Sequence, residues 1–254
     1  MRFIDTHCHY DDPEFDPDRA ALTQAAQALG VSDLVLPAIT AATWGRLQAL
    51  CDRSPQLHAS YGLHPIYLAE HQPAHLTQLR EWLMRERPVA VGECGLDFYL
   101  PELNVQQQTD LFVAQLKLAR EFDLPVIVHA RRSLDAVLQQ LRKFPGLSGV
   151  VHSFAGSLQQ ADTLIKLGFY LGVGGTCTYE RANKLRNVLQ TLDLETLVLE
   201  TDAPDQPDSQ WRGKRNDPTR LPVIAQALAE LRHSDLATIA DVTTANAKRL
   251  FKLA

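Results

Sequence analysis

Cysteine is scarce in this chain: four residues in 254, at positions 8, 51, 94 and 177, with no C-x-x-C pair among them. That excludes a disulfide-stapled scaffold and a cysteine-rich zinc module, and reduced thiols in a cytosolic compartment are expected. No run approaches the ~18 consecutive apolar residues of a membrane helix. The residues after Met1 contain no apolar signal core. The expected location is therefore the cytoplasm, with no membrane partner. A cationic excess is also missing. Lys and Arg number 25 against 30 Asp and Glu, a net charge of -5, which argues against gripping nucleic acid with the whole surface. No G-x-G-x-x-G turn follows the first apolar run, and there is neither a P-loop nor a G-x-S-x-G elbow.

What is present is the balance of an ordinary globular protein, with 45% hydrophobic and 22% charged residues. Eight short apolar runs recur with helical segments between them: Arg2–Asp5, Leu34–Leu36, Leu57–Tyr61, Val89–Val91, Val126–Val128, Val150–Val151, Phe169–Leu171 and Leu197–Leu199. Consecutive apolar residues suit strands buried on both faces of a parallel sheet. Leu22, Ala25, Ala26 and Leu29 form a helical stripe, and Asp16-Pro17 reads as the cap and first residue of that helix. Ser133 and Ser157 read as caps of later helices. These alternations predict an α/β fold, a single (β/α)8 TIM barrel over residues 1–254 with C-terminal helices after about Pro218. An open doubly wound sheet is the structural alternative. Gly172-Val173-Gly174-Gly175 is expected to permit close backbone approach rather than to cradle phosphate.

In a parallel barrel the reactive end is the C-terminal end of the strands. His7 and His9 end the first run, His64 follows the third, Glu93 ends the fourth, His129 the fifth and His152 the sixth, and Asp202 closely follows the eighth. His7 and His9 are two apart, so both imidazoles share a strand face while Cys8 packs on the other. One such histidine is usually structural. Four histidines and two acids converging on successive strand ends point to a metal site. Six ligands exceed one tetrahedral zinc with an open position and suit two divalent ions sharing a carboxylate. His71 and His75 have helical zinc spacing, but Pro73 lies between them and no glutamate follows His71. They read as surface residues, and His58 and His233 lie away from the reactive end.

Six ordered motifs carry a resemblance. They are Phe3-Ile4-Asp5-Thr6-His7-Cys8-His9, Gly62-Leu63-His64-Pro65, Gly92-Glu93-Cys94-Gly95-Leu96-Asp97, Pro125-Val126-Ile127-Val128-His129-Ala130-Arg131, Val151-His152-Ser153-Phe154-Ala155-Gly156 and Leu199-Glu200-Thr201-Asp202-Ala203-Pro204. Over essentially the whole chain the sequence resembles the TatD family of metal-dependent hydrolases, within the amidohydrolase superfamily. The resemblance implies a TIM barrel, two divalent metals and deoxyribonuclease activity on phosphodiesters; of Zn, Mn and Mg, the mixed imidazole and carboxylate ligands favour Zn or Mn over Mg alone. It implies that His7, His9, Glu93 and Asp202 bind one ion and Glu93, His129 and His152 the other. His64 would sit beside the site and contact the scissile phosphate. Cys94, where an aliphatic residue is usual, and Ala130, where a small polar one is common, depart from the family pattern without touching a ligand position.

Two basic clusters bear on the substrate. Arg131-Arg132 follows the fifth run. Arg212, Lys214, Arg215 and Arg220 face only Asp217 in their segment, four cations and one carboxylate giving a local +3. Arg131, Arg212, Lys214 and Arg215 are expected to contact phosphate, and Trp211 is expected either to stack a base or to pin the loop. The expected activity is exonucleolytic cleavage of DNA ends by a monomer, with Asp202 taking the proton from the attacking water. The enzyme alternative is a carbonyl hydrolase with the same metals, either an amidohydrolase or lactonase or an aminoacyl-tRNA deacylase. A non-catalytic scaffold with one structural metal is disfavoured, because such a site closes a tetrahedron and leaves no ligands over.

Overall fold

Strands of a parallel sheet covered on both faces are mainly apolar, a rule that Val126–Val128 and Leu197–Leu199 follow and that Glu93, Asp97 and His129 break. A computed structural model describes every residue from Met1 to Ala254. Strands β1 (Phe3–Asp5), β2 (Val31–Pro37), β3 (Leu57–Tyr61), β4 (Ala90–Asp97), β5 (Val126–Arg131), β6 (Gly149–Val151), β7 (Phe169–Val173) and β8 (Leu197–Leu199) are each followed by helical structure. The helices are α1 (Arg19–Ala28), α2 (Trp44–Cys51), α3 (Pro73–Glu86), α4 (Val105–Glu121), α5 (Leu134–Leu141), α6 (Leu158–Lys166), α7 (Asn183–Thr191), α8 (Leu221–Arg232) and α9 (Leu236–Phe251). The eight strands pair in chain order from β1 to β8, and the fold is a (β/α)8 barrel. The sequence predicted this architecture, including the helices after Pro218.

Three local readings are corrected. The fourth strand does not end at Val91 but runs on to Asp97, because Gly95 and Leu96 keep pairing with His129 and Ala130 of β5. Glu93 therefore lies inside the strand rather than at its tip. Asp16-Pro17 does not start α1. The helix begins at Arg19, Asp12 caps a separate short turn by accepting from the Glu14 amide at 2.8 Å, and Asp16 pairs with Arg19. Ser133 precedes α5 but donates its hydroxyl to the Leu96 carbonyl at 2.6 Å, tying α5 to β4 instead of capping the helix.

The residues form two compact units. One comprises Met1–Leu36, His152–Leu158 and Leu171–Ala254 and holds β1, β8, α1, α7, α8 and α9. Its two central chains stay paired beyond the strands. The Thr6 amide donates to Leu199 O at 3.0 Å, the Asp202 amide to His7 O at 2.8 Å, and the His9 amide to Ala203 O at 2.8 Å. That ladder sets His7, His9 and Asp202 side by side. At the opposite ends of β1 and β8, α9 is stitched to the main chain: the Asn246 amide donates to the carbonyls of Leu194 and Leu197 at 2.9 and 2.8 Å. Gly172 shows why this unit needs glycine in β7. A Cβ there would stand 2.2 Å from an oxygen of Glu200, the close approach expected of the glycine run.

The other unit comprises Pro37–Val151 and Gln159–Tyr170 and holds β3 to β6 with α2 to α5. Its α4 carries two fully buried glutamines seven residues apart, hence on one helix face. Gln108 accepts from the Asp97 amide at 2.7 Å and donates to its carbonyl at 3.0 Å. Gln115 does the same to Leu63, at 2.8 and 3.1 Å. Each amide thus satisfies a buried backbone pair where the chain leaves a strand. Gln115→Leu orphans the Leu63 N–H and C=O, and a loss of about 3 kcal/mol is expected. Urea titration checks this, and a midpoint unchanged from wild type refutes it.

Candidate metal centre

In the first unit, three donor atoms converge. His7 Nε2 and His9 Nε2 lie 3.3 Å apart, and Asp202 Oδ1 lies 3.4 Å from the first and 3.7 Å from the second. His7 is fully buried and Asp202 nearly so. Asp202 occupies the left-handed region at φ 59, which turns its carboxylate back toward the two rings. Its other oxygen accepts from the Gln206 side-chain amide, which also donates to Ser153 Oγ at 2.8 Å. His152 stacks on His7, with ring centroids 4.0 Å apart and planes 11° from parallel. Cys8 points away and is buried, with Sγ 3.8 Å from Ala203 O, as its alternation with the histidines predicted.

In the second unit, Glu93 is almost wholly buried, and its Oε1 lies 3.0 Å from both His64 Nε2 and His129 Nδ1. The tautomers can be read from the outer contacts. His64 Nδ1 accepts from the Ile66 amide at 3.2 Å, so in the neutral ring Nε2 carries the proton and donates to Glu93. His64 is thereby a donor at the site rather than a ligand through that nitrogen. His129 Nε2 lies 3.0 Å from Asp97 Oδ2; donating its proton there leaves the Nδ1 lone pair facing Glu93. His71 lies outside the cluster, but its Nε2 meets the His64 carbonyl at 2.8 Å. It therefore supports the His64 turn rather than lying idle on the surface.

Within the first unit the donor atoms of His7, His9 and Asp202 lie within 4.8 Å of one another, and within the second unit those of His64, Glu93 and His129 do. The groups that face the two carboxylates at ion-pair distance are imidazoles. Imidazole nitrogens converging with carboxylate oxygens are the donor set a divalent transition ion takes. These residues fit a metal.

Three acids behind the donors had no distinctive spacing. Asp5 accepts from the Thr201 amide at 2.9 Å, the Thr201 hydroxyl at 2.6 Å and the His7 amide at 3.3 Å, and burial pushes its carboxyl up to about 7. Glu200, fully buried, accepts from the Ser153 amide and lies 3.8 Å from His152 Nδ1; burial pushes it up to about 8 against the opposing pull of His152. At Asp97 burial works upward but is outweighed by hydrogen bonds from His129 and the Tyr99 amide and by the nearby Arg131 charge, so this carboxyl sits low. The available signal was a carboxylate inside or beside an otherwise apolar strand, where burial alone would forbid it.

The basic loop behaves differently from its local charge. Arg215 pairs with Asp18 at 2.5 Å and donates to Glu14 O, while Arg220 forks onto Asp208 at 2.7 and 3.1 Å. Lys214 and Arg220 lie over the Trp211 ring at 3.9 and 4.7 Å, and the indole N–H donates to Arg215 O at 2.9 Å. Trp211 pins the loop. Arg131 lies over the Tyr99 ring at 3.7 Å.

This fold and these donors define a metal-dependent hydrolase. Residues 4–252 match the family described as TatD related DNase, and the chain belongs to that family. It is 43% identical over 99% of its length, and 98% of the other protein, to the uncharacterized metal-dependent hydrolase YjjV of Escherichia coli K12. It is 34% identical, over 94% of each chain, to a Rahnella protein named as the 3'-5' ssDNA/RNA exonuclease TatD. The crystal structure of the Escherichia coli TatD homolog YjjV superposes with a TM-score of 0.96 at 42% identity, covering 100% of this chain and 99% of that one. No helix is long and apolar enough to cross a membrane.

Proposed function

We propose that this hydrolase cleaves the phosphodiester bonds of DNA from strand ends, working with two divalent ions as a cytoplasmic monomer whose residues 1–254 act as one catalytic domain. The observation that carries the reading is the pair of convergent imidazole–carboxylate clusters, one on His7, His9 and Asp202 and one on Glu93 and His129. In this reading His152 would join the second set, and Glu93 would be shared by both. The relative named as a 3'-5' ssDNA/RNA exonuclease supports a single-stranded nucleic acid as substrate.

Ions held by these histidines and carboxylates would supply a water acidic enough to ionise near neutral pH and would offset negative charge developing on phosphorus. The chain's own residues do the rest. Asp202 accepts the proton of the attacking water, its carboxylate already aimed at His7 and His9 by the left-handed backbone. His64 carries its proton on Nε2, facing Glu93 in the free site, and would turn that proton to a phosphate oxygen when substrate binds. Arg131, Arg212 and Lys214 would each contact a phosphate oxygen of the substrate. Arg215, tied to Asp18, contributes by holding the loop in place.

Asp202→Asn should lower phosphodiesterase kcat by about 10²–10³, the scale of a lost general base. Full activity with metal content unchanged would disprove the base assignment. The broader test loads the protein with Mg²⁺, Mn²⁺ or Zn²⁺ and presents end-labelled single- and double-stranded oligonucleotides, lactones and N-acyl amino acids. Stepwise shortening of DNA, with the carbonyl substrates intact, is the expected result. The reverse pattern would replace the nuclease reading with the carbonyl-hydrolase one.

A further inference from the structure

Two adjacent arginines share one aromatic ring. Arg19 is paired with Asp16, Arg215 with Asp18 and Arg220 with Asp208. Arg131 and Arg132 are both exposed, and neither has a carboxylate within ion-pair distance. Both lie over one ring instead: Tyr99, which is 45% exposed, with guanidinium carbons 3.7 and 4.8 Å from its centroid. Like charges on adjacent residues repel, yet an acidic chain keeps these two together.

The arrangement is held by the backbone. Asp97 and Arg131 are register partners in the β4–β5 ladder, and the Phe98 amide donates to Arg131 O at 2.9 Å, which carries Tyr99 to the same strand end. The Tyr99 amide donates to Asp97 Oδ1 at 2.8 Å, while Asp97 Oδ2 meets His129. One buried carboxylate therefore fixes both the tyrosine and a metal-cluster histidine, and Gln108 clamps the main chain of that carboxylate. His129 and Arg131 are two apart on β5, so they share a face about 6.6 Å apart along the strand. That is roughly the reach of one extended nucleotide.

We infer that Tyr99, Arg131 and Arg132 form an anion platform that takes the phosphate next to the one being cleaved, in a single-stranded polynucleotide. This rests on the nuclease reading and sharpens it: the platform favours a chain with at least two phosphates over a lone phosphodiester. Stacking on Tyr99 holds each guanidinium plane while leaving its N–H edges for phosphate oxygens. The exposed remainder of the ring is available to a base.

The test uses the Mn²⁺-loaded protein and a fluorescein-labelled single-stranded oligonucleotide with hydrolysis-resistant phosphorothioate ends. Binding is followed by anisotropy across a salt series. Arg131→Ala with Arg132→Ala should weaken binding tenfold or more and flatten the slope of log K against log salt by about 0.7 for each phosphate the variant no longer engages. Tyr99→Leu should weaken binding with the slope kept. Arg131→Lys with Arg132→Lys should restore the slope while regaining only part of the affinity, because lysine keeps the charge but loses the stacked fork. All these side chains are exposed, and circular dichroism of each variant confirms that it is folded. Affinity and slope within twofold of wild type in the double alanine variant overturn the platform. Cleavage by the wild type is scored in parallel. Cleavage with unaltered variant binding removes the platform and leaves the nuclease, whereas weakened variant binding without any cleavage removes the nuclease and leaves the platform.

Discussion

Glu93→Gln is expected to cost about 10³-fold in phosphodiesterase kcat, equivalent to roughly 4 kcal/mol of transition-state stabilisation. Two imidazoles face the same oxygen of this carboxylate at 3.0 Å, and the residue is 1% exposed. An amide occupies the same volume but carries no charge, so it holds a cation far more weakly than the carboxylate. Metal content should fall together with activity. The metal-free variant should be as stable as metal-free wild type or more so, because a buried ionised carboxylate is costly without a cation beside it. Metal analysis, kcat and a thermal melt of the chelated proteins read the three effects separately. Metal content at the wild-type level with kcat within tenfold would show that Glu93 is not central. A large loss of metal-free stability would instead make it a folding residue.

The second large effect is on the fold. Gly95→Ala should lower stability by about 4 kcal/mol, a fall in Tm on the order of 10 °C, or prevent soluble expression. Gly95 has φ +148, and a Cβ there would stand 2.0 Å from His129 O and 2.9 Å from two more His129 backbone atoms. None of these is a flexible side-chain end, so β4 and β5 would have to part where they carry Glu93 and His129. Gly45→Ala is the matched control. It lies in α2 with no atom within 4 Å of the added Cβ. Alanine is the better helix former, so that variant should be neutral or slightly stabilised. Equal Tm shifts for the two would show that the β4–β5 approach tolerates a side chain.

The same glycine explains a boundary that the sequence left short. Gly92, Glu93 and Gly95 interrupt an apolar run in the way a loop does, so periodicity ends the fourth strand at Val91. The strand continues because glycine allows the neighbouring chain to come close enough for pairing to persist. Nothing within the strand's own residues announces that neighbour. The Asp16-Pro17 reading fails for a related reason. The local cap pattern is sound, but Arg19 engages Asp16, Tyr10 O and Asp12 O, and the helix starts only after those contacts are made.

The donor residues were legible because function places polar groups where burial would forbid them. Histidines and acids ending apolar strands, and the His7–Cys8–His9 alternation, are anomalies that a one-dimensional reading detects. Asp97 and Glu200 are anomalies of the same kind, but one carboxylate beside a strand has no spacing to set it apart. Their roles depend on His129 and His152, which lie 32 and 48 positions away in the sequence.

By itself the amino-acid order determined the alternation of strands and helices and the barrel, and it singled out the histidines and acids of the candidate site. These follow from hydrophobic periodicity and residue chemistry, both carried by near neighbours in the chain. Which cations are free to meet a substrate was decided only by the tertiary structure. Counted locally, the segment from Arg212 to Arg220 is an open basic patch. In the fold Arg215 closes on Asp18, 197 positions distant, and Arg220 on Asp208, whereas Arg131 and Arg132 stack on Tyr99 and close no ion pair. An ion pair forms over a few ångströms of space, and sequence distance carries no record of it.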